Sequence, residues 1–285
     1  MNRLFWFRPS ALAVMIAGLL LMTLSYAHAG SRILGTGGVS AIEGAAGGGL
    51  SPWAVLSGTA SDTEVGVTAS TSYAGVDDFQ LNVMSASINF YDRVEFSVAR
   101  QNLELSTLGG ELEQDIYATK IRLFGDLLYH RLGIWSAGMM YKQLADNTVP
   151  DALGARHAQG REAYISASKL FLDAVYGRNL LLNATLRRSS ANQGGLLGFA
   201  GDQGGYHWLA EGSMGVFVTP QWVVGSEYRQ KPDNLSAVKE EDWYSVYSAY
   251  FFSKHLSLTA AWLNLGDIAG FSSQRGGYIS LQAAF

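Results

Sequence analysis

The sequence predicts an all-β protein, a transmembrane antiparallel β-barrel, and three observations carry that expectation. Segments of about ten residues alternate apolar and polar side chains with period two and are separated by turn residues. The links between these segments alternate between short and long. The chain ends on Phe285, with Gly277, Ile279, Leu281 and Ala283 behind it on one face and Tyr278, Ser280, Gln282 and Ala284 on the other.

Composition agrees with a membrane setting. Charged residues make up 15% of the chain, against about 25% in soluble domains. The 33 glycines in 285 residues are about 12%, against the usual ~7%. The absence of cysteine excludes a disulfide scaffold and a zinc–thiolate site. A net charge of -4 lacks the basic excess that grips a phosphate backbone, so nucleic acid is not an expected partner.

At the N-terminus, Arg3 and Arg8 precede an uncharged run from Ala11 to Leu24 and then Ala27-His28-Ala29. This is the layout of a secretory signal peptide with cleavage after Ala29. The alternative is an uncleaved anchor, for which the run falls short of the ~20 apolar residues a spanning helix needs. Cleavage removes two arginines and no acid, leaving residues 30–285 at a net charge of -6. Beyond it no window holds 18 apolar residues, so any further crossing of the membrane is made by strands.

The segments follow in order. From Glu64 to Tyr73, Val65, Val67, Ala69, Thr71 and Tyr73 oppose Glu64, Gly66, Thr68, Ser70 and Ser72. From Gln80 to Phe90 the alternation changes phase near Val83-Met84, which a β-bulge explains. Leu180, Leu182, Ala184 and Leu186 oppose Asn183, Thr185 and Arg187. Leu256, Leu258, Ala260 and Trp262 oppose Ser257, Thr259 and Ala261. Aromatic residues near segment ends, Trp53, Tyr73, Tyr91, Trp135, Tyr141, Trp208, Trp222, Trp243, Tyr250 and Trp262, suit interfacial girdles. Packing against neighbouring strands is the alternative for each. Lipid on the outside demands closure, because every backbone N–H and C=O must then be paired without water. A soluble β-sandwich is the competing fold, with shorter strands and less regular loops.

Short links lie at 91–93, 125–130, 173–177, 219–221 and 253–255, and longer ones at 106–113, 145–160, 189–205, 232–241 and 266–274. Short periplasmic turns opposite longer external loops are the asymmetry of an outer-membrane barrel. Counting back from Phe285 gives about twelve strands after Glu64. Residues 30–58 are open to two readings. Arg32–Ile42 and Gly48–Gly58 form a hairpin that brings the total to about fourteen, the preferred reading, or the Gly-rich run Gly44–Gly49 folds into the lumen as a plug.

The final alternating segment resembles the C-terminal recognition strand of outer-membrane β-barrels, which makes the barrel-assembly machinery an expected partner through the strand ending at Phe285 and outer-membrane lipid the expected surroundings. The stretches Gly37–Leu50, Lys120–Asp126, Ala191–Phe199 and Lys231-Pro232-Asp233-Asn234-Leu235 resemble a Gram-negative family catalogued as a domain of unknown function. That resemblance extends over most of residues 30–285 and implies an outer-membrane barrel, with no reaction or site attached.

No signature of ATP, NAD, haem or metal is present, and no cofactor is expected. His130 and His255 fall in short turns as ordinary surface histidines. His207 and Glu211 share one face of a strand but stand about 13 Å apart at strand rise, too far for an acid–base pair. His157 shares a loop with Asp146 and Asp151, at most a weak cation site and otherwise a solvated loop. No serine is singled out as a nucleophile by a positioned base, so an outer-membrane enzyme ranks last among the functional readings.

Reading the alternation inward places Glu64, Glu95, Lys120, Arg122, Lys142, Glu162, Arg187, Glu211, Glu227 and Arg229 in the lumen. Both signs occur, so these side chains either serve a solute path or pair across the lumen and stiffen it. In the loop 189–205, Leu196, Leu197 and Phe199 sit in a stretch without charge. Exposing them forgoes roughly 1.5–3 kcal/mol per side chain, so the loop is expected to fold inward and constrict the lumen. Passage of a small solute is the leading functional expectation, and a structural or surface-interaction barrel with a blocked lumen is the second.

Overall fold

The computed structural model describes residues 33–107 and 109–285. The expected signal peptide, residues 1–29, lies outside the described residues. Two short strands, β1 (Val39–Ser40) and β2 (Ala46–Gly47), pair with each other and with no strand of the barrel. The next twelve form a closed antiparallel barrel in which each pairs with its sequence neighbours. They are β3 (Val65–Val76), β4 (Phe79–Phe90), β5 (Val94–Leu105), β6 (Glu111–Gly125), β7 (Ile134–Leu144), β8 (Gln159–Val175), β9 (Arg178–Ser189), β10 (His207–Thr219), β11 (Trp222–Arg229), β12 (Trp243–Phe251), β13 (Leu256–Asn264) and β14 (Arg275–Ala284). Thr148–Ala152, in the β7–β8 loop, is a single helical turn, α1.

Closure between β14 and β3 pairs Ala283 with Ala69 and Ile279 with Tyr73. Phe285 N–H then donates to Val67 O at 2.8 Å, and Val67 N–H donates to Phe285 O at 2.7 Å. The terminal aromatic thus completes the seam, leaving no free edge. The alternation has the expected sense: Leu182, Leu186, Ile279, Leu281, Met139 and Trp262 are exposed on the outside, whereas Asn183, Thr185, Arg187, Ser280 and Gln282 are buried inside. Apolar side chains on the outside of a closed barrel require lipid. The links at 91–93, 126–133, 176–177, 220–221 and 252–255 and both barrel termini share one end, periplasmic by the usual asymmetry of such barrels, and the five long loops lie at the other together with the two-residue turn Asp77-Asp78.

Three expectations are corrected. The barrel has twelve strands, not the preferred fourteen, because residues 38–58 are buried rather than added to the wall. That Gly/Ala-rich run has no two-faced alternation with which to separate lipid from lumen. β4 carries no bulge at Val83-Met84: its register runs unbroken against β3 and β5. The inward side chains instead change from Phe79 and Val83 to Ser85, Ser87 and Asn89, so what switches is the chemistry of the lumen, not the face. Register shifts occur elsewhere, at Arg122/Phe124, Phe171/Val175 and Phe217/Thr219, all near the short-turn end. Trp53 and Trp243 are buried inside and belong to no girdle, whereas Tyr73, Tyr91, Trp208, Trp222, Tyr250 and Trp262 are exposed.

Candidate functional site: the plugged lumen

From the periplasmic end, Gly35–Gly58 enters the barrel and turns back on itself through β1 and β2. Trp53, Ala54 and Val55 pack on an apolar belt of wall residues that includes Ile134, Leu181, Phe217 and Phe251. Deeper in, the plug meets the wall through polar groups. Glu95 on β5 accepts hydrogen bonds from Ala46 N–H at 3.1 Å and Ser57 N–H at 2.7 Å. Lys120, opposite it on β6, donates to Ala46 O and Val55 O, each at 2.9 Å. Glu227 on β11 accepts from Leu50 N–H at 3.0 Å and Ser51 Oγ at 2.9 Å. Gln101 Nε2 donates to Ile42 O at 2.7 Å. Wall side chains thereby satisfy plug backbone groups that would otherwise be buried unpaired.

The charge centre of the lumen is built around Glu43, the sole charged residue from Ile33 to Ala60. Its carboxylate accepts from Lys142 Nζ at 2.5 Å, Arg187 Nη2 at 2.8 Å and Arg229 Nη2 at 2.7 Å. Glu162 accepts from Lys142 at 3.1 Å and pairs with Arg187, and Glu211 accepts from Arg187 Nε at 2.6 Å. Three carboxylates therefore face three cations, and all six side chains are almost wholly buried. Burial opposes a charge on Glu43, but Arg187, Arg229 and Lys142 outweigh it and hold its carboxyl well below the usual range. Removing Glu43 leaves three buried cations against two carboxylates, the costly half of a buried ion pair.

A second insert enters from the external end. The β9–β10 loop dips inward through a short 3-10 turn, Asn192–Gly195, and buries Leu196, Leu197 and Phe199. Leu196 and Leu197 join Phe79, Leu103, Leu105, Leu112 and Ile268 in an apolar cluster that fills this end. His157 and Phe199 exchange backbone hydrogen bonds at 3.2 and 2.9 Å, so the histidine tethers the insert. No group of three metal-ligating side chains gathers among the described residues. Gly195 adopts φ +107°, and a Cβ there would lie 2.1 Å from Gln114 Oε1, so the tip needs glycine. The inserts meet at Lys142, whose Nζ donates both to Glu43 and, at 2.9 Å, to Gly194 O. Cavities between plug and wall are small, about 20 Å³ beside Gly35 and Phe251 and about 10 Å³ beside Leu50 and Glu227.

Of the ten inward residues read from the sequence, Glu95, Lys120, Lys142, Glu162, Arg187, Glu211, Glu227 and Arg229 are buried in the lumen. Arg122 sits at the periplasmic rim, where it pairs with Asp92 and Gly125 O. Glu64 lies before β3, with its carboxylate accepting from Ser61 N–H and Oγ at 2.9 and 2.8 Å. Residues that the sequence reading missed are Glu43, which lies on no long strand, and the amides Gln101 and Gln114, which share the inward faces of Glu95 and Lys120 but carry no charge to mark them. A lone acid in a Gly/Ala-rich run was the one available signal for Glu43.

A family model described as "Protein of unknown function (DUF3034)" matches residues 36–282. No curated protein matches the chain. Among solved structures, the chain is similar to the KdgM porin, at 10% identity and a TM-score of 0.52, over 76% of this chain and 99% of that one. A second KdgM structure, in complex with disordered oligogalacturonate, has 10% identity and a TM-score of 0.50, over 76% and 99%. The NanC porin has 9% identity and a TM-score of 0.49, over 76% and 98%. At such identities the likeness is one of fold: this is a multi-pass β-barrel of the outer-membrane type.

Proposed function

The chain belongs to that family of unknown function, and on this footing we propose that it is a gated channel or transporter for a small solute in the outer membrane, closed by its own N-terminal plug. What supports the reading is the chemistry between plug and wall. Glu95, Lys120, Glu227 and Arg229 hold the plug by hydrogen bonds to its backbone, and Glu43 holds it by charge. Water offers the same hydrogen bonds, so exchanging plug for water costs little per bond, about 0.5–1.5 kcal/mol. A lumen closed only for stability is better filled by apolar packing, because buried ion pairs are often no more stable than hydrophobic residues of the same volume. With the plug withdrawn, the wall is left with charged and polar groups of both signs, a surface that water and a solute wet.

Planar-bilayer recordings test the reading. The full chain is expected to be mostly closed with brief openings, and a variant lacking both residues 36–58 and residues 194–201, so that neither insert remains in the lumen, to conduct steadily. A deletion variant that is membrane-inserted, folded and silent overturns it and leaves a barrel blocked for structural reasons. The reading also assigns assembly to the last strand, whose Phe285 closes the seam on Val67. Deleting Phe285 is expected to lower the amount of heat-modifiable, membrane-inserted protein, and unchanged insertion removes that assignment.

A further inference from the structure

The lipid-facing wall of a membrane barrel is apolar between its aromatic edges, yet at the external ends of β8 and β9 two arginines point out of it. Alternation turns Arg161 outward beside the buried Glu162, and Arg188 outward beside the buried Arg187 and Ser189. Both are exposed, and neither makes an ion pair among the described residues. Arg188 pairs across the strands with Ala163, which leaves Arg161 at the diagonal position, about 7–8 Å away and within reach of a long side chain. Like charges so placed repel unless an anion lies between them. Arg100, an outward arginine on β5, shows the contrast: its Nε and Nη2 donate to the Asp115 carboxylate at 2.7 and 2.9 Å. Tyr206, just before β10, braces the unpaired two. Its hydroxyl donates to Arg161 O at 3.1 Å, and its ring centroid lies 5.5 Å from the Arg188 guanidinium. Trp208, opposite Arg188 on β10, presents its ring at 5.9 Å. Stacking occupies the faces of a guanidinium and leaves the N–H donors in its plane for a ligand.

Arg161 also ends an open groove of about 450 Å³ on the lipid-facing wall. Val98, Tyr117, Tyr141 and Arg161 form its external rung, paired in that order from β5 to β8. Its floor is Thr119, a short side chain between Phe96 and Met139 one rung nearer the bilayer centre. We propose that this face binds a phosphate-bearing lipid of the outer leaflet, with the phosphate between Arg161 and Arg188 and one acyl chain in the groove. A phosphate accepts from both guanidinium groups at once and cancels their repulsion. A lipid without phosphate leaves the two charges unpaired, and a soluble anion leaves the groove to other lipids. The arginines stand at the rim of the apolar band, the height at which headgroups begin and an outward charge is tolerated. The inference rests on the membrane setting of the barrel and is independent of the channel reading.

Native mass spectrometry of the full chain released from detergent micelles tests it, with diphosphoryl lipid A, its dephosphorylated form and inorganic phosphate as probes. A one-to-one adduct with diphosphoryl lipid A is expected, bound about tenfold more tightly than the dephosphorylated form, the factor for one hydrogen bond to a charged group. That comparison needs no variant. Arg161→Gln combined with Arg188→Gln is expected to abolish the tenfold difference, whereas Arg100→Gln, which removes an outward arginine that already has its partner, is expected to keep it. Heat-modifiable migration shows that each variant is folded. Thr119→Phe, which raises the floor of the groove, is expected to weaken both lipid forms several-fold. Equal binding of the two forms, or an equal loss in Arg100→Gln, overturns the phosphate site. Displacement of the lipid by inorganic phosphate overturns the lipid and leaves an anion site. A dimer that the double variant dissolves overturns it in favour of a contact between copies, and unchanged binding in Thr119→Phe removes the groove from the proposal.

Discussion

The two inserts close the same lumen by different physics. The middle of the plug, from Ser40 to Ser51, is held by carboxylates, two lysines, arginines and amides of the wall. The external insert, from Leu196 to Phe199, is held by apolar contact with Phe79, Leu103, Leu105, Leu112 and Ile268. Water can replace the first set of contacts and cannot replace the second. The difference teaches which closure is built to be undone: the plug by hydration of its ties, the external insert only when something apolar takes the place of its leucines.

The strongest way to break this comparison is Glu43→Ala. It leaves Lys142, Arg187 and Arg229 buried against too few carboxylates, a change expected to cost about 3–5 kcal/mol. Amide hydrogen exchange in residues 40–58 is expected to accelerate by about two to three orders of magnitude, the same energy expressed as a rate, while residues 196–199 keep their protection. Equal acceleration in both inserts shows that they open as one unit and defeats the distinction.

Leu197→Ala is the converse experiment. Removing this buried side chain is expected to cost about 2–5 kcal/mol, and the faster exchange should fall in residues 192–199 rather than in the plug. Protection lost from the plug as well marks Lys142, which touches both inserts, as a coupling element.

The smallest expected effect concerns the strap that joins β11 to β12. Burial lowers the Lys231 ammonium to about 8 in spite of its partner Glu240, which it meets at 3.3 Å. The folded-state value lies below the unfolded one, so the unfolded chain binds more protons between pH 8 and the ordinary lysine range. Folding is therefore favoured as pH rises through that window, while the ion pair itself is lost above about 8. Lys231 Nζ stands 4.3 Å from the Trp243 ring centroid, so Trp243 emission is expected to change with a midpoint near pH 8 and to stop changing in Lys231→Met. A midpoint that survives that substitution assigns the titration elsewhere.

How much of this was legible before folding differs from element to element. Strand β9 read directly: a side-chain period of two puts Leu182 and Leu186 in lipid and Asn183 and Arg187 in the lumen whatever the neighbours are. The last strand and the turn lengths likewise carried the count of twelve. Strand β4 misled, since a change from apolar to polar on one inward face looks in sequence like a change of face. The loop around Leu196 was legible because three large apolar side chains without charge have few places to go outside a core.

Period-two alternation, link lengths and the terminal Phe285 determined by themselves that this chain is a membrane barrel, because each is a local rule that needs no knowledge of a distant partner. Only the tertiary structure decided where residues 38–58 go. Glu43 finds Lys142, Arg187 and Arg229 at separations of 99, 144 and 186 residues, and nothing in a Gly/Ala-rich run announces such partners. The same holds for the small apolar cavity beside Gln193 and Trp243: side chains from four strands and two loops must converge before it exists. Closure of the barrel brings them together, and closure is a property of the whole chain.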